Sequence, residues 1–321
     1  MIARRARLGA AAALALLATY QTSAQPAAPT VLTGTQATYS IAKALTAGTP
    51  VEVVNVPADG RQLSLLKDYI ERRKEALAPT FVAATAVVAV TNALPGDPLY
   101  RYAREANVRI VGIDAAIPWS LDRPGVALAD TPASNVAWGS DTDPVATATA
   151  PYFWLSVSNA IRMGDLVAHD LAALFPEVGA AIAKNLDALK RSLLAMRNGY
   201  QQRLIVSDAD VVFALTGDFV YFTNDLGLFV DGYFVKQDVR WTPEDLTNLT
   251  RHLRDHGIRV VVHRWQPSEA IQEAVRAGGA TLVVLDAGDP GIVVDRALAP
   301  DGLQRILDGN LNALAAAFAD R

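Results

Sequence analysis

The sequence contains no cysteine. That absence excludes disulfides, thiolate metal sites and cysteine nucleophiles, so the fold must be held by its hydrophobic core. Histidine is scarce, with four in 321 residues, which limits any imidazole-rich metal cage. No uninterrupted apolar run approaches the roughly 20 residues of a membrane span. The longest candidate, Leu8 to Ala18, follows Arg4, Arg5 and Arg7 and precedes Thr22-Ser23-Ala24, the pattern of a secretory signal peptide cut after Ala24. With no cysteine after the apolar region, lipid attachment is excluded.

Positive charge is also in short supply. Removing residues 1–24 takes away three arginines and no acid, so 29 basic side chains become 26 against 33 acidic ones, and the net charge moves from −4 to −7. A nucleic-acid partner is therefore not expected. Nor is an enzyme: there is no G-x-S-x-G elbow, no H-E-x-x-H and no glycine-rich phosphate loop. An exported, acidic, cysteine-free chain points to a bacterial periplasm.

What the chain does have is alternation. VEVVNV from Val51, FVAATAVVAV from Phe81 and VRIVGI from Val108 read as buried strands, with helical patterns such as LSLLKDYIERRKEAL and DPLYRYAREAN between them. From Ser158 to about Leu204 the pattern stays helical, broken at Pro176, and Val178, Ile182, Leu186, Leu189, Leu193 and Met196 form one apolar stripe. Alternation then resumes through DADVVFAL, TPEDLTNLTRHLRDHG, IRVVVHRW, PSEAIQEAVRAGG and ATLVVLDAG, and a last helix runs from Gly302 to Ala319. Thr242 with Pro243 is a helix start and Gly257 a stop, whereas Asp130 to Thr149 reads as a loop. The expected fold is α/β: two lobes with parallel-type sheets joined by one long backbone helix, with the ligand cleft between them. Its expected divisions are residues 1–24 (signal peptide), 25–174 (first lobe), 175–204 (linking helix) and 205–321 (second lobe).

The motif order resembles the metal-specific, ZnuA/TroA-like class of periplasmic solute-binding proteins of ABC importers, the zinc and manganese binders. In that family a segment close to D-P-H-x-W-L-(D/S)-P-x-N-A opens a helix, and here Ala150 to Ala160 keeps Pro151, Trp154, Leu155, Asn159 and Ala160 while Tyr152 stands at the ligand histidine. A second family segment, a ligand followed by x-A-F-x-Y-F and then G-L, is similar to Thr216 through Phe222 with Gly227-Leu228, which puts Thr216 in the ligand slot. The resemblance assigns the family's late aspartate to Asp286 and its first ligand to VPADGRQLSLL, where Arg61 aligns best and Gln62 or Leu63 are alternatives. It implies one transition-metal ion (zinc, manganese or iron) as transported ligand, no catalytic cofactor, an ABC permease with its ATPase as partners, and a monomer.

The substitutions change the chemistry. A guanidinium offers no lone pair, threonine is a poor neutral ligand, and tyrosine ligates as phenolate only beside a strongly polarising ion. Arg61, Tyr152, Thr216, His263, Trp265 and Asp286 are the expected ligand-binding residues, and Asp286, His263, Tyr152 and Asp218 the expected metal ligands. Such a set suits a metal complex, or on the alternative reading a polar or anionic molecule bound without metal, better than a bare divalent ion. His263 ends a strand, where the ligand crevice of an α/β sheet lies; cleft lining and plain packing are equally open for it. His252 and His256, spaced i, i+4 beside Asp255, can either clamp a metal or simply place charge at a solvated helix end.

Overall fold

The computed structural model describes residues 28–144 and 148–319; the segment read as a signal peptide lies outside them. In the first lobe, β1 (Thr30–Thr33), β2 (Glu52–Asn55), β3 (Ala86–Ala89) and β4 (Val111–Asp114) form a parallel sheet in the order β2-β1-β3-β4. The helices between them are α1 (Gln36–Leu45), α2 (Leu63–Arg72), α3 (Lys74–Ala83) and α4 (Leu99–Ala106). Then come α5 (Val157–Leu174) and α6 (Gly179–Val206). The second lobe repeats the strand order as β6-β5-β7-β8, again parallel, from β5 (Val211–Ala214), β6 (Phe229–Tyr233), β7 (Val260–His263) and β8 (Thr281–Val284). Around it lie α7 (Val220–Leu226), α8 (Pro243–Asp255) and α9 (Glu269–Ala277). A small hairpin, β9 (Val293–Val294) with β10 (Ala297–Leu298), precedes α10 (Gly302–Ala319).

Strand residues point alternately to the two faces of a sheet, and that period divides the core. Val31, Ala86 and Val88 of the first sheet, with Val212, Ala214, Val260 and Val262 of the second, face one continuous cluster that α1, α5, α6 and α10 also fill. Leu32, Val87 and Ala89 face a separate cluster under α2 and α4, and Phe213 and Val261 face a third under α8 and α9. The lobes thus share a core on their inner faces and each closes its own outer face.

At about 1.5 Å per residue, the 28-residue α6 is about 42 Å long, enough to run along both lobes. Its stripe seals the shared core: Ile182, Leu189 and Leu193 are buried and Val178, Leu186 and Met196 pack at the margin. Each fully buried aliphatic side chain of this kind contributes about 1.5–3 kcal/mol. Pro176 sits in a short 3-10 turn between α5 and α6, where its fixed φ and missing N–H cost nothing.

Several boundaries differ from those read in the sequence. Phe81 to Ala83 complete α3, and the strand begins only at Ala86. The single helix expected over LSLLKDYIERRKEAL breaks at Arg73 into α2 and α3. β6 went unread because its FVDGY interrupts the apolar pattern with Asp231 and Gly232. Its outer side is covered by residues 135–143, where Asn135 and Asp143 donate backbone N–H groups to Tyr233 and Val235, so that flank of the sheet is not left bare. Thr242 caps α8 in a reciprocal box with Asp245, and Gly257 adopts φ +65° just beyond its end, as the sequence indicated.

Candidate functional site

The parallel strands end at a crevice between the lobes, and the loops leaving β5, β7 and β8 carry Asp218, Arg264, Asp286 and Asp289 into it. Arg264 holds the centre. Its guanidinium lies 3.3 Å from Asp218 Oδ2 and 3.8 Å from Asp289 Oδ2, and its carbon sits 4.7 Å from the centre of the Tyr152 ring. Tyr152 donates its hydroxyl to Asp289 Oδ2 at 3.4 Å. The other oxygen of Asp289 accepts the backbone N–H of Leu63 from the opposite lobe at 2.8 Å. Leu63 is the first residue of α2, whose preceding residue Gln62 makes no side-chain cap, so Asp289 satisfies that helix end from across the cleft.

A cavity of about 400 Å³ opens beside this group. Gln62, Arg264, Trp265, Asp286 and Asp289 provide its polar lining, and Val284, Leu285 and Ala287 its apolar wall. Asp286 is exposed and braced: its backbone N–H donates to Asn310 Oδ1 at 2.8 Å, and its Oδ1 accepts from Gly288 at 2.7 Å. Trp265 is half exposed beside the imidazole of His263, their ring centres 4.3 Å apart.

Protonation follows burial. Burial, with the nearby carboxylates of Asp289 and Asp218 adding to it, drives the Tyr152 phenol far above its ordinary value despite the opposing Arg264. It therefore remains a neutral hydrogen-bond donor and not a phenolate ligand. Burial likewise raises Asp289, partly offset by the Leu63 N–H and Arg264. His263 is 1% exposed, and burial lowers it to about 4 against the weaker pull of Asp238, whose Oδ1 is 3.9 Å from Nε2.

Of the residues singled out in the sequence, the structure brings Tyr152, Asp218, Asp286 and Trp265 to the cleft and sets three apart. Arg61 bonds to Asp59 Oδ2 at 3.0 Å and the Gly60 carbonyl at 2.7 Å and lines a different hollow with Tyr69, Arg72 and Arg73; Gln62 faces the cleft in its stead. Thr216 is buried and its hydroxyl accepts the Asp218 N–H at 3.2 Å, so it shapes the loop and does not line the cavity. His263 lies beneath Trp265, off the cavity wall, with a buried Nδ1 that has no partner among the described residues.

The remaining motif residues are framework. Trp154 donates to the Ala287 carbonyl at 2.9 Å, fixing the Asp286 loop, and Tyr221 donates to the Ala150 carbonyl at 3.1 Å. Asp225 accepts from Ser156 Oγ at 3.0 Å and the Val157 N–H at 3.1 Å, capping α5. Arg264 and Asp289 carry the site's geometry, yet neither was among the expected ligand-binding residues or metal ligands. The available signal for Arg264 was position: it follows the strand-end histidine in VVVHRW.

As an ion cage the cleft is incomplete. A resident guanidinium stands between its carboxylates, and among the described residues no three ligating side chains in it bring their donor atoms within 4.8 Å of one another; the one group that does, Asp231 with His252 and His256, lies elsewhere. The oxygen donors that are present favour harder metals over zinc.

Comparison with known proteins matches residues 31–317 to the family model of ZnuA, zinc-uptake complex component A, periplasmic. No curated protein matches the chain in sequence. Among solved structures, a mutant of FpvC from Pseudomonas aeruginosa is similar with a TM-score of 0.68 and 19% identity, over 91% of this chain and 100% of that one. FpvC in complex with Mn2+ gives 0.64 and 19%, over 91% and 99%. Zn(II)-bound AdcA from Streptococcus pneumoniae gives 0.65 and 16%, over 91% of this chain and 58% of that chain. At such identities the likeness to these structures is one of fold.

Proposed function

Because the chain belongs to the ZnuA family of metal-importer solute-binding proteins, we propose that it captures a transition metal in chelated form and hands it to an ABC permease and its ATPase. The observation that carries this reading is the cavity of about 400 Å³ beside Arg264. A bare ion would occupy a small part of that space, whereas a cavity of several hundred Å³ accommodates an organic ligand. Trp265 offers a face for a flat chelating group, and the aliphatic wall of Val284, Leu285 and Ala287 accepts its apolar edge. Arg264, Gln62 and Asp286 supply a donor fork, an amide and an acceptor to fix its orientation.

The chain's own residues then bind and orient the cargo without directly completing a metal shell. Tyr152 and Asp218 hold Arg264 in place, and Asp289 ties the two lobes around the mouth of the cavity. Capture takes place in the periplasm after removal of residues 1–24, the chain acts as a monomer, and no catalytic step is involved.

The test is a titration followed by intrinsic fluorescence, with Trp265→Phe as the control for the reporter. Free zinc, manganese and iron are compared with ferric or zinc complexes of carboxylate, hydroxamate and catecholate chelators. A chelate that quenches Trp265, while the free ions leave its fluorescence unchanged, supports the reading. Free ions that bind with a dependence on Asp286 and Asp289, and chelates that do not, would discard it.

A further inference from the structure

Asp231, His252 and His256 have ligand atoms that all lie within 4.8 Å of one another. His252 Nε2 stands 2.6 Å from Asp231 Oδ2, and His256 Nδ1 stands 3.0 Å from the same oxygen and 3.1 Å from Oδ1. The two histidines sit one turn apart at the end of α8, where residues four apart share a face, and their ring centres are 3.9 Å apart.

The carboxylate is aimed by an irregularity in the sheet. β5 and β6 pair as Val212 with Val230 and then Phe213 with Gly232, which leaves Asp231 as the extra residue of a bulge. Bulges re-aim a side chain out of the regular alternation. Gly232 permits this one: a Cβ there would meet Phe213 at 2.7 Å and Val136 at 2.9 Å. The same Phe213 ring, with Trp138, walls in His252 edge-on, at centroid distances of 5.2 and 5.0 Å.

We propose that Asp231, His252 and His256 form a second metal site, for zinc(II) or a neighbouring nitrogen-preferring divalent ion, separate from the cleft and independent of the reading given above. Two imidazoles and one carboxylate suit such an ion and leave one tetrahedral position for water or an outside ligand. With bonds of about 2.0–2.1 Å, ligand atoms around tetrahedral zinc are about 3.3–3.4 Å apart, so seating the ion spreads the present contacts by roughly half an ångström. The metal takes the place of the direct contacts now made between the imidazoles and Asp231. Exposure is graded suitably: His252 at 12% and Asp231 at 18% are held by the protein, and His256 at 47% leaves a way in. The end of α8 adds the negative pole of its dipole. α8 ends shortly before β7 begins, so the site lies toward the amino ends of the strands, away from Arg264 and Asp286.

Cobalt(II) and zinc(II) are titrated into the full chain, cobalt being followed by its visible absorption and zinc by competition with a chromophoric chelator. One ion per chain with the intense visible bands of low-coordinate cobalt is expected. His256→Ala, which truncates a half-exposed side chain, and Asp231→Asn, which keeps the volume, should each weaken binding by at least about 10-fold to 100-fold, while binding persists in Asp286→Ala. Absence of any bound ion overturns the proposal, as does an ion that tolerates both triad variants. Loss of the ion in Asp286→Ala alone would assign it to the cleft, and chelate capture there is read separately by Trp265 fluorescence.

Discussion

Asp289 of the second lobe accepts the backbone N–H of Leu63 in the first at 2.8 Å, and so caps a helix that its own sequence leaves uncapped. Replacing it by alanine removes this bond and also one of the two carboxylates beside Arg264. A hydrogen bond to a charged group contributes about 1.5–3 kcal/mol. Asp289→Ala should therefore lower stability by about that amount in denaturant titration, and amide exchange at Leu63 should speed up. Unchanged exchange at Leu63 would mean that the lobes are held without this bond.

Arg264 is a tethered cation in the crevice where the family implies a metal. Removing it leaves Asp218 and Asp289 without their counter-charge. Arg264→Gln is expected to raise the affinity for free manganese(II) at least about 10-fold by calorimetry, at some cost in stability from unpaired buried carboxylates. An affinity no greater than that of the parent chain would show that the guanidinium is not what keeps a bare ion out.

His263 sets a pH dependence. Its folded value of about 4 lies below the ordinary 6.5, so between these values the unfolded chain binds the proton that the folded chain refuses. Stability from this group is complete above pH 6.5 and is lost as the pH falls toward 4, by about 3 kcal/mol in total. Burial raises Asp97, Asp114 and Asp289, which acts in the opposite sense, so the comparison must be made against His263→Gln. The stability difference between parent and variant should change between pH 6.5 and 4 and be flat above 7. A difference that does not vary with pH would mean that His263 titrates normally.

Leu193 lies in the middle of the α6 stripe and is fully buried in the core shared by both lobes. Leu193→Ala should cost about 2–5 kcal/mol and lower the melting of both lobes together. Two separated transitions, one of them unmoved, would show that the inner core does not couple them.

The sequence by itself determined the layers: short apolar strands, the α6 stripe, the Thr242 cap and the Gly257 stop each rest on neighbours a few residues away, so local pattern alone reveals them. Family motifs likewise placed the framework of Trp154, Asn159 and Tyr221. The centre of the cleft was not legible in this way. Arg264, Asp289 and Leu63 meet across some 200 residues of chain, and only the folded strand ends decide that Arg264, not Arg61 or His263, stands among the carboxylates. The same holds for the second site. The i, i+4 histidines were visible on α8, but their carboxylate comes from Asp231 and not the adjacent Asp255, because a bulge in β6 turns that side chain toward the helix. Local order follows from local spacing; which charges face one another depends on how the lobes and sheets pack.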